Sequence, residues 1–177
     1  MTEFIATMPV VFFNDAFRRN VVATSRLVLD STDGMNSIAL TWAPQGNFHH
    51  VGFVVASIQQ AVQGFVQSLD AEWDGEIIHD PNQVVRVTFL RGKSPADPLF
   101  ELVEPAGEKS PVLSFVQKGG GLHHVCYVVK SLDDKLVQCR SQRMIVARPA
   151  LPAAAFGGRR IAWVYSRNKL LIEYLEL

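Results

Sequence analysis

Two histidine pairs stand out as side chains that could bind a metal ion, because they hold four of the five histidines in the 177-residue chain. The pairs are His49-His50 and His123-His124, and they lie 74 residues apart in similar apolar stretches. Further segments recur at nearly the same offset, namely 86–90 with 160–164 and 99–104 with 171–176. A repeat of this length indicates an internal duplication. The sequence therefore predicts two related modules, 48–104 and 122–176.

Each module must position its histidines on a strand that is followed by a helix and then by three more strands. Ser57 and Ser131 are expected to cap the two long helices with their hydroxyl groups. Proline and glycine positions predict a short helix between the modules. The predicted helices are 57–69, 110–118 and 131–143, and the predicted strands are 48–55, 72–79, 84–91, 99–104, 122–129, 144–148, 159–166 and 170–176. This pattern is of the α+β class.

The alternation of strand side chains allows only one histidine of each pair to face a shared interior. His50 and His124 share their faces with the small residues Gly52 and Cys126, which leave room for a ligand. We therefore expect His50 and His124, rather than their neighbours, to face the site.

The last predicted strand of each module contains two glutamates three residues apart, which alternation directs to opposite faces of the strand. Glu101 and Glu173 share their faces with apolar residues, where a carboxylate is costly unless a charge or a metal compensates it. Glu104 and Glu176 point the other way, and exposure to solvent is the simpler expectation for them.

The duplication predicts that one histidine and one glutamate from each module converge, so that His50, Glu101, His124 and Glu173 form one site. Imidazole and carboxylate ligands suit Zn, Mn, Co, Ni or Fe as a divalent ion. A buried histidine is more often a hydrogen-bonded core residue, and a strand glutamate more often belongs to an ion pair. Four such residues related by a repeat favour the metal site.

The composition excludes some classes of function. The formal net charge is zero, with acids and bases interspersed, so we expect neither a nucleic-acid nor a membrane partner. The apolar run near the N-terminus is interrupted by Pro9 and is too short to span a membrane. Cys126 and Cys139 do not suggest a disulfide framework, which suits a reducing cytoplasm. Residues 1–46 lie outside the repeat and receive no function, although strands are predicted at 21–29 and 37–42.

With these residues in view, the chain resembles the vicinal oxygen chelate superfamily over about residues 48–177. The motifs that carry the resemblance are His-His-Val-Gly at 49–52, Phe-Glu-Leu-Val-Glu-Pro at 100–105, Gly-Gly-Gly-Leu-His-His at 119–124 and Leu-Ile-Glu-Tyr-Leu-Glu at 171–176. They are most similar to the branch of glyoxalase I and methylmalonyl-CoA epimerase. The resemblance implies one domain, 47–177, in which paired βαβββ modules form a curled mixed sheet around one cleft, and it implies the same four metal ligands.

The resemblance also suggests a lyase, isomerase or epimerase that removes a proton next to a metal-bound carbonyl, with Glu173 as the base and an acyl thioester as one candidate substrate. We expect Arg86, Phe156 and Arg160 to contact the substrate, although solvent-facing strand positions would explain the arginines equally well. Epimerases of this type can carry a further acid on the third strand, where this chain has Arg86 and no acid. The alternatives are a metal-free binding protein of the resistance type and a non-haem iron dioxygenase, which the fourth ligand disfavours. A homodimer is left open.

Overall fold

The computed structural model describes residues 47–177, so the strands predicted at 21–29 and 37–42 lie outside the described part of the chain. Nine strands and three helices are present in that part. The strands are β1 (Phe48–Val54), β2 (Glu72–Trp73), β3 (Ile78–Asp80), β4 (Val85–Arg91), β5 (Leu99–Pro105), β6 (Gly121–Val129), β7 (Ile145–Pro152), β8 (Arg160–Tyr165) and β9 (Leu171–Glu176), and the helices are α1 (Ile58–Leu69), α2 (Leu113–Gln117) and α3 (Leu132–Ser141). None of these helices is long and apolar enough to cross a membrane.

The strands form one curled, unclosed mixed sheet in the order β2-β4-β5-β1-β6-β9-β8-β7, with β3 paired to β4. The two central strands, β1 and β6, are antiparallel to each other. Each is also bordered by the last strand of its own half in a parallel arrangement, β1 by β5 and β6 by β9. The predicted α+β fold with a curled mixed sheet is confirmed.

The two halves use the same register as well as the same order of elements. Gly52 lies opposite Glu101 across β1 and β5, and Cys126 lies opposite Glu173 across β6 and β9. This correspondence agrees with a duplication, which stays an interpretation of the sequence. In each half, the strand that holds the histidine pair is therefore hydrogen-bonded to the strand that holds the predicted glutamate ligand.

One side of the sheet packs against the long helices. Ile58 and Val62 of α1 belong to a core cluster with Leu90 and Leu102, and α3 forms a corresponding cluster with β8 and β9. Since successive strand residues point to opposite sides, the residues between these core positions face the inside of the curl. The helices therefore fix which strand residues can reach the interior.

The helix N-termini are satisfied differently from what the sequence predicts. Ser131 accepts a hydrogen bond from the Asp134 amide, but the Ser57 hydroxyl makes no capping bond, so that prediction is wrong. Instead the carboxylate of Glu104 accepts the Ile58 N–H at 2.6 Å. A carboxylate from the neighbouring strand supplies both an acceptor and a negative charge at the positive end of the helix.

Three predicted element bounds differ from the structure for local reasons. The strand predicted at 72–79 is two short strands, because Gly75 has a φ of 88° and bends the chain between them. Helix α2 begins at Leu113 rather than at Pro111, since the Leu113 amide is still bonded in a turn to the Ser110 carbonyl. Strand β7 continues past 148 to Pro152, through two register shifts.

Candidate metal and substrate site

The four predicted ligands come together inside the curl. His50 and His124 lie on the two central strands, and Glu101 and Glu173 lie on the strands beside them. All four are buried, with at most 5% of any residue exposed. The pairing of Gly52 with His124 across β1 and β6 places the imidazole rings next to each other.

The ligand atoms point to a common position. The Nε2 atoms of His50 and His124 are 3.1 Å apart, and the Oε2 atom of Glu101 lies 3.5 Å and 3.3 Å from them, respectively. These three residues have ligand atoms within 4.8 Å of one another. Glu173 is not a member of that close group of three, but its Oε2 lies 3.1 Å from the His50 nitrogen and 3.8 Å from the His124 nitrogen.

These residues fit a divalent ion. Nitrogen and oxygen ligands about 2.0–2.2 Å from one ion lie roughly 2.8–3.6 Å apart for angles between 90° and tetrahedral, and only the 3.8 Å separation exceeds that range. Among the described residues, Oε2 of Glu173 is buried and approaches Nε2 of His50 at 3.1 Å without forming a hydrogen bond of regular geometry. A buried carboxylate oxygen without a partner is costly, and a cation among the four side chains would supply one.

In the absence of an ion, the charges of the site compensate one another. Burial by itself would lower the pKa of His50, but the carboxylates of Glu101 and Glu173 outweigh this effect and raise the pKa to about 9. Burial would likewise raise the pKa of Glu101, whereas His50 and His124 hold it well below its usual range. A divalent ion would therefore replace a proton on His50.

The neighbouring histidines also reach the site, which the alternation of strand residues does not predict. The register of β1 against β6 shifts between Phe48 and His50, and again between Gly52 and Phe53, so His49 and His123 are the extra residues of two β-bulges. A bulge changes the direction of side chains locally. His123 consequently lines the same cavity as His124, so the expectation that only one histidine of each pair faces the interior is wrong for the second pair.

The bulge histidines contact the two ligand histidines through their Nδ1 atoms. The Nδ1–Nδ1 distance is 2.9 Å between His49 and His50, and 3.0 Å between His123 and His124. Burial and then the adjacent histidine lower the pKa of His49 and of His123 to about 4, so both are neutral at pH 7. A neutral imidazole can accept the Nδ1–H of its neighbour, which leaves Nε2 of His50 and of His124 free to bind a metal.

Aromatic side chains enclose the ligands. Phe156 stacks on His50 with ring centres 6.0 Å apart, and Trp163 meets the His124 ring edge-on at 4.7 Å. Both belong to the wall of a cavity of about 210 Å³. The lining residues are mostly apolar; the polar and charged ones are Asp80, Gln83, Glu101, His123, His124, Arg148, Tyr165 and Glu173. The cavity suits a small, largely apolar group with a few polar contacts.

The structure separates the three predicted substrate-contacting residues. Phe156 lines the cavity, but Arg86 and Arg160 are absent from its lining and instead form ion pairs with Glu104 and Glu176. The Glu176 carboxylate also accepts the Leu132 N–H at the start of α3.

The expectation that Glu104 and Glu176 face solvent requires correction. Glu104 is 6% exposed, and both carboxylates connect an arginine to a helix N-terminus on the side of the sheet away from the cavity.

Three residues that no pattern in the sequence selects also line the cavity, namely Arg148, Gln83 and Asp80. Arg148 lies on β7, where the register shifts between Val146 and Arg148 as it does at the histidine bulges. The turn Asp80-Pro81-Asn82 was visible in the sequence only as a break between strands. Contacts between residues far apart in sequence bring these side chains to the cavity, so no local sequence pattern predicts their position.

Comparisons with known proteins agree with this geometry. The chain is 33% identical over 89 residues to the ethylmalonyl-CoA/methylmalonyl-CoA epimerase of Cereibacter sphaeroides, a match that covers 49% of this chain and 63% of that protein. It therefore spans less than two thirds of that relative. An uncharacterized protein of Bacillus subtilis is 30% identical over 131 residues, with 72% of this chain and 89% of that protein covered.

A solved structure supports the same relationship. The methylmalonyl-CoA epimerase of Mycobacterium tuberculosis superposes with a TM-score of 0.62 at 25% identity, over 80% of this chain and 92% of that one. The sequence model of one superfamily matches residues 49–163, which include three of the four predicted ligands. The chain therefore belongs to the glyoxalase/bleomycin resistance protein/dioxygenase superfamily.

Proposed function

We propose that this protein is a divalent-metal-dependent enzyme of the epimerase type, acting on the carbon next to the carbonyl of a 2-substituted acyl thioester. The observation that carries the proposal is the convergence of His50, Glu101, His124 and Glu173 on one buried position inside the curl. The similarity to epimerases named for ethylmalonyl-CoA and methylmalonyl-CoA supports the choice of substrate class.

His50, Glu101, His124 and Glu173 would hold the ion. When bound, a divalent ion supplies Lewis-acid polarisation of a carbonyl oxygen, which acidifies the adjacent carbon. The apolar wall excludes water from the substrate and strengthens the electrostatic interactions inside the cavity.

Glu173 is the proposed proton acceptor. Its carboxylate lines the cavity beside Nε2 of His50, at 3.1 Å, and would therefore lie next to a carbonyl held at the ligands, where it would take the α-proton of the substrate. The electron pair of the broken C–H bond passes into the carbonyl group. Return of the proton from Glu173 to the same face restores the starting thioester, whereas protonation of the opposite face by a water molecule inverts the carbon. Asp80 also lines the cavity, but its two oxygens accept the backbone N–H groups of Asn82, Gln83 and Ala154.

The chemistry is tested by hydrogen exchange in deuterated water. The metal-loaded protein should exchange the α-proton of methylmalonyl or ethylmalonyl thioesters for deuterium, and a chelator should abolish the exchange. The loss of the α-proton signal in the NMR spectrum measures the rate. Glu173→Gln should slow the reaction by about 10²–10⁴-fold, the usual contribution of a general base, whereas Glu176→Gln should not. With a single base, exchange should be faster than racemisation, and equal rates would contradict the assignment.

The ligand set is tested by metal analysis. We expect about one equivalent of divalent metal per chain, and its loss in a His50→Ala, His124→Ala double variant. His79→Ala is the matched control, because His79 is an exposed residue on β3. Full occupancy in the double variant would reject these ligands. Tight binding of thioesters or 2-oxo hemithioacetals without any exchange would favour the second candidate, a binding protein that sequesters a small molecule.

A further inference from the structure

We infer that Arg148 is a specificity-determining residue that binds a carboxylate group on the acyl part of the substrate. This inference rests on the proposed function, since it concerns the substrate of the same cavity. It is carried by the charge distribution around Arg148, by the contacts that hold its side chain, and by the size of the cavity.

Arg148 brings a positive charge that no acid neutralises within the described part of the chain. It is the one lysine or arginine among the residues that line the cavity, and its Nη1 donates to the neutral amide oxygen of Gln83 at 3.0 Å. The acids of the lining are engaged elsewhere. Glu101 and Glu173 lie against the ligand histidines, and Asp80 accepts backbone amides. A guanidinium has five N–H donors, so most of them are available to an anion.

The position of Arg148 is fixed by contacts between the two halves of the fold. Gln83, its partner, is held in turn by its backbone N–H, which donates to Oδ1 of Asp80 at 2.9 Å. The other oxygen of Asp80 accepts the Ala154 N–H from the second half at 2.7 Å. The register shift between Val146 and Arg148 lets Arg148 line the cavity together with the adjacent Ala147. A cation held in this way loses little conformational entropy when it binds an anion.

The size of the cavity identifies which part of a thioester reaches the guanidinium. A volume of about 210 Å³ suits a short branched acyl group and is small for a complete coenzyme. Three of the four proposed metal ligands, Glu101, His124 and Glu173, line the same cavity. A substrate that presents its carbonyl to those ligands therefore places a carboxylate of the same acyl group, rather than a distant phosphate, within the space that Arg148 borders.

Binding selectivity tests the inference without depending on turnover. The probes are the N-acetylcysteamine thioesters of methylmalonate and isobutyrate, which have similar branching and differ by a carboxylate in place of a methyl group. Calorimetry with the metal-loaded protein gives the ratio of their dissociation constants. Arg148→Met should reduce the preference for the carboxylate at least tenfold, in line with the loss of a charge-assisted hydrogen bond, and Arg148→Lys should restore part of it.

Two further variants distinguish the loss of the charge interaction from a general loss of structure. Gln83→Glu places a carboxylate beside Arg148 and should also reduce the preference, because the internal acid competes with that of the substrate. Arg140→Met removes the same charge from an exposed position on α3 and should leave the ratio unchanged. A ratio in Arg148→Met within twofold of the wild-type value, with metal content and circular dichroism intact, would overturn the inference.

The coenzyme A thioesters of the same two acids separate a carboxylate from a phosphate as the bound anion. If Arg148→Met weakens both coenzyme A thioesters equally and neither short thioester, the guanidinium binds the carrier phosphates and the carboxylate assignment is wrong. Failure of the proposed function has a different signature, since the wild-type protein would then show no α-proton exchange while the binding ratio could still be measured.

Discussion

Substitution of Gly52 by alanine should disturb the metal site through a single atom. A Cβ added at Gly52 would lie 1.9 Å from Cε1 and 2.3 Å from Nδ1 of His124, far inside any permitted contact. The space beside Gly52, which the sequence suggested for a ligand, is therefore occupied by the imidazole ring itself. His124 is 1% exposed, so its ring cannot move into solvent unless the cavity opens.

The size of the effect follows from the cost of overpacking. An extra methyl group in a close-packed interior typically costs about 1–3 kcal/mol. The metal-free protein can lower that cost by rotating the His124 ring, but a bound metal prevents this rotation because it fixes Nε2. If the whole cost falls on the metal-bound state, the metal affinity decreases by about 5- to 150-fold, at 1.4 kcal/mol for each factor of ten.

Competition with a chelating dye measures the metal affinity, and thermal unfolding of the chelated protein measures the stability of the metal-free state. Gly64→Ala is the matched control, since nothing lies within 4 Å of its new Cβ and the residue is inside α1. That control should retain the wild-type metal affinity and gain about 0.5–1 kcal/mol of stability from the better helix propensity. If Gly52→Ala binds metal within threefold of the wild type, His124 is not a ligand in the orientation described.

Two further predictions concern stability. Glu104→Gln and Glu176→Gln should leave metal content unchanged, because both carboxylates face the helices. Glu104→Gln should also lower the free energy of unfolding by about 1–3 kcal/mol, because it removes a buried charge-assisted hydrogen bond. Loss of metal in either variant would reveal an inverted strand register. The chelated protein should be most stable near pH 6.5. The raised pKa of His50 contributes stability that is present below about pH 6.5 and is lost as the pH rises through 9. The lowered pKa values of His49 and His123 contribute stability that is lost as the pH falls from 6.5 through 4. Thermal unfolding across this range, with and without metal, checks the prediction, and an alkaline decrease that metal does not reduce would contradict it.

The order of elements could be predicted because each strand and helix of the repeat carries its own hydrophobic period. The period does not record a bend within a strand, so Gly75 appeared in the sequence as an interior position of one strand. The capping of α1 also lay beyond local reasoning. Its acceptor is Glu104, which is 46 residues from Ile58 in sequence and adjacent only in the folded sheet.

Alternation of strand side chains placed Glu101 in the interior and Glu104 on the opposite face, as the structure does, but it gave no sign that a helix covers that face and excludes solvent from Glu104. It failed at the histidine pairs because alternation assumes an unbroken ladder, and a bulge adds a residue to one strand only. A bulge depends on the register of two strands, which neither strand specifies alone. Arg148 could not be predicted for the same reason, because the direction of its side chain depends on a register shift between β7 and β8.

The four proposed ligands come in equal numbers from the two halves, but the cavity beside them is not symmetric, and this asymmetry bears on the proposed chemistry. Oε2 of Glu101 belongs to the close group of three ligands, whereas Oε2 of Glu173 has no hydrogen-bond partner among the described residues. The cationic side chain of the lining, Arg148, also comes from the second half, whereas β4 of the first half contributes Val85 and Val87. A substrate held between the proposed ligands and Arg148 would therefore meet Glu173 on one side and Val85 and Val87 of β4 on the other. If the four side chains hold an ion and Glu173 is the base, as proposed, the proton would leave from and return to the same side of the carbon, so exchange would be faster than inversion.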